Sequence, residues 1–596
     1  MGPIALVDPW AAVTMLFQID CGDILPGREP TFPRRVLWCP DMTSETAYPV
    51  DESATSTSPP VLDRISARLR RTSMRADALH LRLTRGLTLT QRVEPAAGDP
   101  EDWSFLRRPA LLGFLAVVSI CIGASLPSSP FKLETAPGTW FFGEADWPST
   151  TLMLPGVVAV YGGMVLFVRV WLGLFQTIRA RGGVPIRPLA YMLALWILPL
   201  LVVAPLFSKD VFSYAAQGEM MSHHINPYHY GPGTIGSGPY TLGVDPLWAN
   251  TAAPYGPLFL MLAGWSASLS FHHALITVVL LRLQSVAGIA LIAYCIPRLA
   301  RSFGRDPGPA FVLAVLNPLT LLALVGGAHN DAIMVGLLLA GITAARSFHP
   351  AWGVVLCALA ASIKVPAAIG IVYVAWDWAG PFADWRRRAR MVVRSGLITV
   401  AVMGVLSLVS GLGWGWIANL GTPGTVRSWM APATGFGLLV SGSAHVLGIG
   451  VGLGGVLTLT RAIGLMAAAA IAFYCLRHRE RIGLLGALGA TMMAFVLLGP
   501  VVQPWYLTWG IIIVAPVVTG RWLYAVLGLS TVAPFIGLTG GADLLSELLH
   551  TDPASMVLAV MVLWAVAIFP LGNWTTSWRI DRSRLPALPA TTAAQS

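Results

Sequence analysis

The residues of this sequence that could move a proton or hold a charge are few, and they sit at the margins of long apolar runs. The first group lies in the segment 208–254, SKDVFSYAAQGEMMSHHINPYHYGPGTIGSGPYTLGVDPLWANTAAP. Asp210 stands two residues past an apolar run, and Tyr214 and Gln217 follow at i+4 and i+7, on one face of a short helix. A carboxylate held at the edge of an apolar phase suits a general base that takes a proton from a hydroxyl. The same residue could instead cap the helix it begins. His223, His224 and His229 offer nitrogen ligands, but scattered loop histidines more often stay solvated, and no metal site is expected.

Three further groups carry chemistry. His329, Asn330 and Asp331 fall in GGAHNDAIM, where Asp331 could also cap the helix that follows. Lys364 interrupts the apolar hairpin ASIKVP, where an ionisable group is costly and usually functional. Its bland role is snorkelling to the interface. Arg427 adds a fixed cation in GTPGTVRSWMAP, and Gln503, Trp505 and Tyr506 stand in VVQPWYLTW. Cations at this depth would stabilise charge building on a departing phosphate oxygen. Trp505 and Tyr506 could equally be interfacial belt residues.

The elements that must position these groups are membrane helices. The chain has 596 residues, 55% of them hydrophobic and 11% charged, with a mean hydropathy of +0.67. A soluble protein would carry roughly a quarter of its residues as charges. Lys and Arg number 39 against 29 acidic residues, a net charge of +10. That excess falls in short clusters between apolar runs, as cytoplasmic loops do, which argues against a nucleic-acid surface. The six cysteines show no paired spacing and read as packing residues.

Residues 1–108 are polar, rich in Pro, Ser and Arg, and read as a cytoplasmic, largely disordered arm, with Met74 a candidate for the true start. From 109 to 575, charge placement supports roughly fourteen spans with both termini cytoplasmic. The stretch 254–271 is apolar enough for another span, but counting it would put Arg298, Arg301 and Arg305 outside. It therefore reads as an interfacial helix, and 432–450 as a second candidate. The tail 576–596 is cytoplasmic. In this topology every group with chemical potential faces outward.

SKDVFSYAAQG, APYGPLF, GGAHNDA, IKVP, GTPGTVRSWMAP and VVQPWYLTW, in this order and spacing, resemble the actinobacterial polyprenol-phosphomannose-dependent α-1,6-mannosyltransferases, the MptB-like group most of all. The resemblance covers about residues 109–575 and leaves out the N-terminal arm. It implies an all-α integral membrane protein of the GT-C type, with extracytoplasmic interfacial helices and the active site outside the plasma membrane. It implies polyprenyl-phosphate-mannose as donor, with no further cofactor, and a phosphatidylinositol mannoside or related glycolipid as acceptor. The product would be the α-1,6-mannan core of lipomannan and lipoarabinomannan. Asp210 then takes the base role, in an inverting displacement. Lys364, Arg427, Gln503, Trp505 and Tyr506 belong to the donor side, and Tyr214, Gln217, His329, Asn330 and Asp331 to the acceptor or sugar side. In many GT-C enzymes the key acid follows the first span, whereas Asp210 follows the third. Glu144 and Asp146 in PGTWFFGEADWPST are therefore the rival acids, although no Tyr- and Gln-bearing helix pattern follows them. A paralogous lipid-sugar transferase, such as an elongating mannosyltransferase or a protein O-mannosyltransferase, is the alternative within enzymes. A polytopic transporter is the alternative outside them, although no internal repeat is visible.

Overall fold

The computed structural model describes residues 103–126, 129, 131–133, 153–347, 349–427 and 430–536, all within the larger of two units, 92–596. The arm up to residue 102, Glu144, Asp146, Trp429, the apolar run 555–573 and the basic tail lie outside the described residues. Among the described residues every regular element is a helix and there is no strand.

The helices run in the order α1 (Ser104–Ser125), α2 (Met153–Arg181), α3 (Ile186–Val202), α4 (Asp210–Ser222), α5 (Pro257–Leu269), α6 (Ala274–Ser302), α7 (Pro307–Ala314) and α8 (Asp331–Arg346). They continue with α9 (Pro350–Ala361), α10 (Ala368–Trp378), α11 (Trp385–Val409), α12 (Pro432–Val446), α13 (Leu453–Arg477), α14 (Leu484–Leu498), α15 (Leu507–Val514) and α16 (Gly520–Val532). Five of them, α1, α2, α6, α11 and α13, are long and apolar enough to cross a bilayer. A sixth span is possible if α8 is joined to the helical turn before it. The chain is thus a helical membrane protein. Helix α5 has 13 residues, about 20 Å of rise against a hydrocarbon core of about 30 Å.

The run 308–326 reads as one span in the sequence but is broken in the structure. Pro318 has no N–H to give to a helix, and Asn317 takes over locally. Its amide donates to Leu313 O at 2.9 Å, and its carbonyl oxygen accepts from Leu319 N at 2.9 Å. The chain then rewinds as a wide π-helical stretch, Thr320–Gly326, and meets α8 at an angle of 114°. Such wide turns concentrate at functional sites. Here the turn delivers His329, Asn330 and Asp331 to the start of α8.

A buried cation holds this break to the rest of the fold. Arg282 of α6 is fully buried and donates to the carbonyls of Leu201, Val203 and Gly326. Leu206 N also donates to Gly326 O at 3.0 Å. The end of α3 and the end of the π-helical stretch are thereby tied together just before Asp210 and His329. The carbonyls left free where helices stop find their donors here.

Basic residues collect at the opposite end. The Arg181 guanidinium lies 3.9 Å from the Phe105 ring centre, and Arg346 stacks 4.1 Å from Phe303 while bonding Ser302. Asp331 and Arg346 are the two ends of α8, about 22 Å apart at 1.5 Å per residue. The polar cluster and this basic rim therefore mark opposite ends of one helix.

The hairpin carrying Lys364 is locked to the start of α5. Ser362 Oγ accepts from Leu258 N at 3.1 Å, and Gly256 N and Phe259 N donate to the Ile363 and Ser362 carbonyls at 3.3 Å each. A Cβ on Gly256 would collide with the Ser362 backbone. Gly256→Val is expected to push the hairpin away and lower stability by about 1–3 kcal/mol, read as a fall in the unfolding midpoint of the purified protein. An unchanged midpoint would show that the contact gives way freely.

Candidate active site

Asp210 is the first residue of α4, but its side chain makes no capping bond, and Lys209 stands at the cap position. Its carboxylate instead faces inward. Tyr214, one turn on, donates its hydroxyl to Asp210 Oδ2 at 3.4 Å, and His329 Nδ1 lies 3.6 Å from the same oxygen. About a fifth of the Asp210 side chain remains exposed. Burial pushes its pKa up to about 6; Asp331 and Asp245 push the same way, and the Lys364 ammonium only partly opposes them. A carboxylate near 6 is ionised at neutral pH and still basic enough to accept a proton.

His329 is buried, with its ring stacked 4.1 Å from the Trp505 ring and its carbonyl accepting from Ser285 Oγ at 3.1 Å. Beside this stack an apolar cleft opens, lined by Leu206, Phe207, Ser208, Leu322 and Pro534.

The second half of the site is an ion pair. Lys364 Nζ bonds both carboxylate oxygens of Asp331, at 3.0 and 3.1 Å, and Trp509 Nε1 donates to Oδ1 at 2.6 Å. Asp331 is completely buried and makes no capping bond, so neither acid is spent on a helix end. Lys364 does not snorkel. It sits 4.5 Å from the Tyr506 ring centre and 5.4 Å from that of Trp509, as a cation among aromatic faces. An ammonium has three N–H donors; two bond Asp331, and the third is within hydrogen-bonding reach of the Tyr506 hydroxyl, a partner that an incoming anion could replace.

Most of the residues singled out in the sequence meet here: Asp210, Tyr214, His329, Asp331, Lys364, Trp505 and Tyr506. Both side-chain atoms of Asn330, Gln217 Oε1 and Trp505 Nε1 are buried without a protein partner. Such groups are costly to leave unmatched and suit a polyhydroxyl ligand. Gln503 is half-buried at the start of the Pro504–Tyr506 turn. Arg427 is exposed, and no contact described for the cluster includes it. Its loop is held elsewhere, by Arg461 donating to the Gly424 and Val426 carbonyls at 2.6 and 2.7 Å. His223 meets Glu219 and His272, with neither His224 nor His229 among its partners.

Several residues of the site were not singled out from the sequence. Trp509 lies one turn beyond Tyr506 on the same helical face, and that spacing was the available signal. Arg282 was visible as a lone cation inside an apolar run. Tyr255, edge-on to Tyr214 at 5.2 Å, lay within the APYGPLF stretch without being singled out, and Ser285 carried no signal of its own.

The family described as "Alpha-(1->6)-mannopyranosyltransferase, N-terminal domain" matches residues 110–380, and the "MptB C-terminal domain" matches 433–569. A probable alpha-(1->6)-mannopyranosyltransferase of Mycolicibacterium smegmatis is 35% identical over 509 residues, 79% of this chain and 89% of the relative. The chain belongs to the α-(1→6)-mannopyranosyltransferase family. An alpha-(1->6)-mannopyranosyltransferase of Mycobacterium tuberculosis is 34% identical, covering 84% of this chain and 93% of the relative. Alpha-(1->6)-mannopyranosyltransferase A of the same organism is 33% identical, covering 74% and 86%. No solved structure matches the chain. As a member of this family the protein is an MptB-like mannosyltransferase, a glycosyltransferase, and the transporter reading falls away.

Proposed function

We propose that this mannosyltransferase moves mannose from polyprenyl-phosphate-mannose to the 6-hydroxyl of a mannoside on a phosphatidylinositol mannoside or related glycolipid. The reaction would build the α-1,6-mannan core of lipomannan and lipoarabinomannan. The observation that carries the reading is Asp210: partly exposed, raised to about 6, and set beside an apolar cleft. An Asp210 oxygen takes the proton of the acceptor hydroxyl as that oxygen attacks C1 of the donor mannose. The bond from C1 to the phosphate oxygen breaks, and its electron pair leaves with the polyprenyl phosphate. Tyr214 holds the carboxylate by its hydrogen bond, and His329 Nδ1 faces the same oxygen from 3.6 Å. The third N–H of Lys364 turns from the Tyr506 hydroxyl to the phosphate, with Gln503, Trp505 and Tyr506 beside it, while the apolar cleft takes the first isoprene units. The unmatched groups of Gln217 and Asn330, with Asp331 fixing the geometry, serve the sugars. Arg427 would act from the loop above, not from within the cluster.

The fold that suits this chemistry is of the GT-C type, with roughly fourteen spans. Both termini are cytoplasmic, and the site opens at the outer face of the plasma membrane. The end-to-end separation of polar cluster and basic rim along α8 supports that orientation.

A single displacement inverts the anomeric centre. With β-linked donor and a synthetic α-1,6-mannoside acceptor, the product is expected to be wholly α-linked at O6, read by NMR of the purified oligosaccharide. A β-linked product would require two displacements and would remove Asp210 from the role of base.

A further inference from the structure

At the far end of α4 from Asp210 a second polar cluster forms. Glu219 stands in the last turn of α4, His223 four residues on caps the end of that helix, and His272 reaches them from the turn after α5. His223 Nε2 lies 3.0 Å from Glu219 Oε1, and His272 Nδ1 lies 3.1 and 2.9 Å from the two carboxylate oxygens. One ligand atom from each residue falls within 4.8 Å of the others. Tetrahedral zinc, with bonds of about 2.0–2.1 Å, places its ligand atoms roughly 3.4 Å apart, so only small side-chain rotations separate this cluster from a coordination shell. Glu219 is buried, and among the described residues its ion pairs are to these two imidazoles, neither of which carries a permanent charge. Both imidazoles are about half exposed, at 58% and 51% of the side chain, so a metal could enter and keep a water.

The backbone is shaped to bring the third ligand in. Phe271 and His272 both adopt left-handed conformations, φ 51° and 63°, which side chains other than glycine rarely take. Helices α4 and α5 also pack closely where Gly218 faces Ala263, which leaves their ends side by side.

We propose that Glu219, His223 and His272 form a divalent transition-metal site of the zinc class that pins the end of α4 to the end of α5. Two imidazoles and one carboxylate are a familiar zinc donor set, with the fourth position left to water. Nine residues separate Glu219 from Asp210, about 13 Å of helix and two and a half turns, which puts the metal on the opposite face from the base. The metal therefore positions α4 and does not touch the reacting atoms. This inference stands independently of the donor and acceptor proposed above.

The test uses the purified full-length protein in lipid nanodiscs, stripped with EDTA and then titrated with Zn2+. Wild type is expected to bind one zinc by elemental analysis and to gain about 2–5 °C in unfolding midpoint at a hundredfold excess over Kd. Co2+ in place of zinc should give visible d–d bands. His272→Ala and Glu219→Gln should lose the bound zinc, the shift and the bands, whereas His224→Ala, one residue from the cluster, should keep all three. Sub-stoichiometric zinc in wild type would overturn the proposal, as would an equal loss in His224→Ala. Because the wild-type titration is decisive by itself, a variant that fails to fold does not rescue the idea.

Discussion

Asp210→Asn is expected to lower mannosyl transfer by about a thousandfold while the protein still folds, inserts and binds donor. The magnitude follows from the role. A positioned general base contributes about 10²–10⁴-fold, and asparagine of the same shape has no proton affinity to offer. Survival of the fold follows from the electrostatics. Burial raises the Asp210 pKa to about 6, so at neutral pH the ionised carboxylate is held against its preference, and a neutral amide relieves that cost. No helix cap is lost, because the side chain caps nothing. The same shift fixes the sign of the pH dependence. Below about 6 the base is protonated, so kcat/KM of wild type should fall tenfold per unit there and level off above it. The measurement is transfer from labelled mannosyl-phospho-polyprenol, wild type beside variant, from pH 4.5 to 8. Full turnover in the variant would remove the assignment of the base. A flat wild-type profile would show that no group titrating near 6 governs transfer, or that a step other than proton transfer limits the rate.

How much of this was legible in the sequence depends on the distance over which each feature is encoded. Helix positions were well marked, because an apolar run bounded by basic residues is a local signal. The run at 331–346 coincides with α8, and 454–477 starts within one residue of α13. Pro318 was visible too, but its consequence was not. A proline can kink a helix or end it, and only the side chain of Asn317 and the donors of Arg282 show which happened. The pairing of Asp210 with Tyr214 was readable as an i, i+4 spacing and is seen as a hydrogen bond. The pairing of Lys364 with Asp331 was not readable. It joins residues 33 apart on two hairpin ends, and the sequence left Lys364 as a lone cation and Asp331 as a possible cap. Arg427 shows the limit of the charge-based reading. It shares the same side in a charge-based topology, yet a shared side does not mean a shared site, and its loop is anchored by Arg461 instead. His272 was passed over because it follows an apolar helix, and only the left-handed turn after that helix brings it back to Glu219.

The buried pair also allows structure and function to be separated. Asp331→Asn leaves the Lys364 ammonium facing an uncharged amide in a nearly closed site, and Lys364→Met leaves a fully buried carboxylate without its counter-charge. Each single change is expected to cost about 3–5 kcal/mol, because an unpaired buried charge is penalised far more than the pair itself stabilises. The double variant Asp331→Asn/Lys364→Met removes both charges and should regain most of that loss, since Trp509 can still donate to the asparagine oxygen. Thermal unfolding of the four proteins measures this coupling. Activity should not follow stability. If the remaining N–H of Lys364 meets the donor phosphate, the double variant is stable yet shows donor use weakened by at least tenfold, with acceptor KM little changed. If donor use recovers together with stability, the pair is only a clamp between two hairpins, and the cation for the leaving phosphate must come from elsewhere. Arg427 is the remaining candidate, and it would have to reach the site by a movement of its loop. The cycle thus decides between a phosphate ligand and a structural ion pair in a way that neither single variant can, because each of those loses stability and activity together.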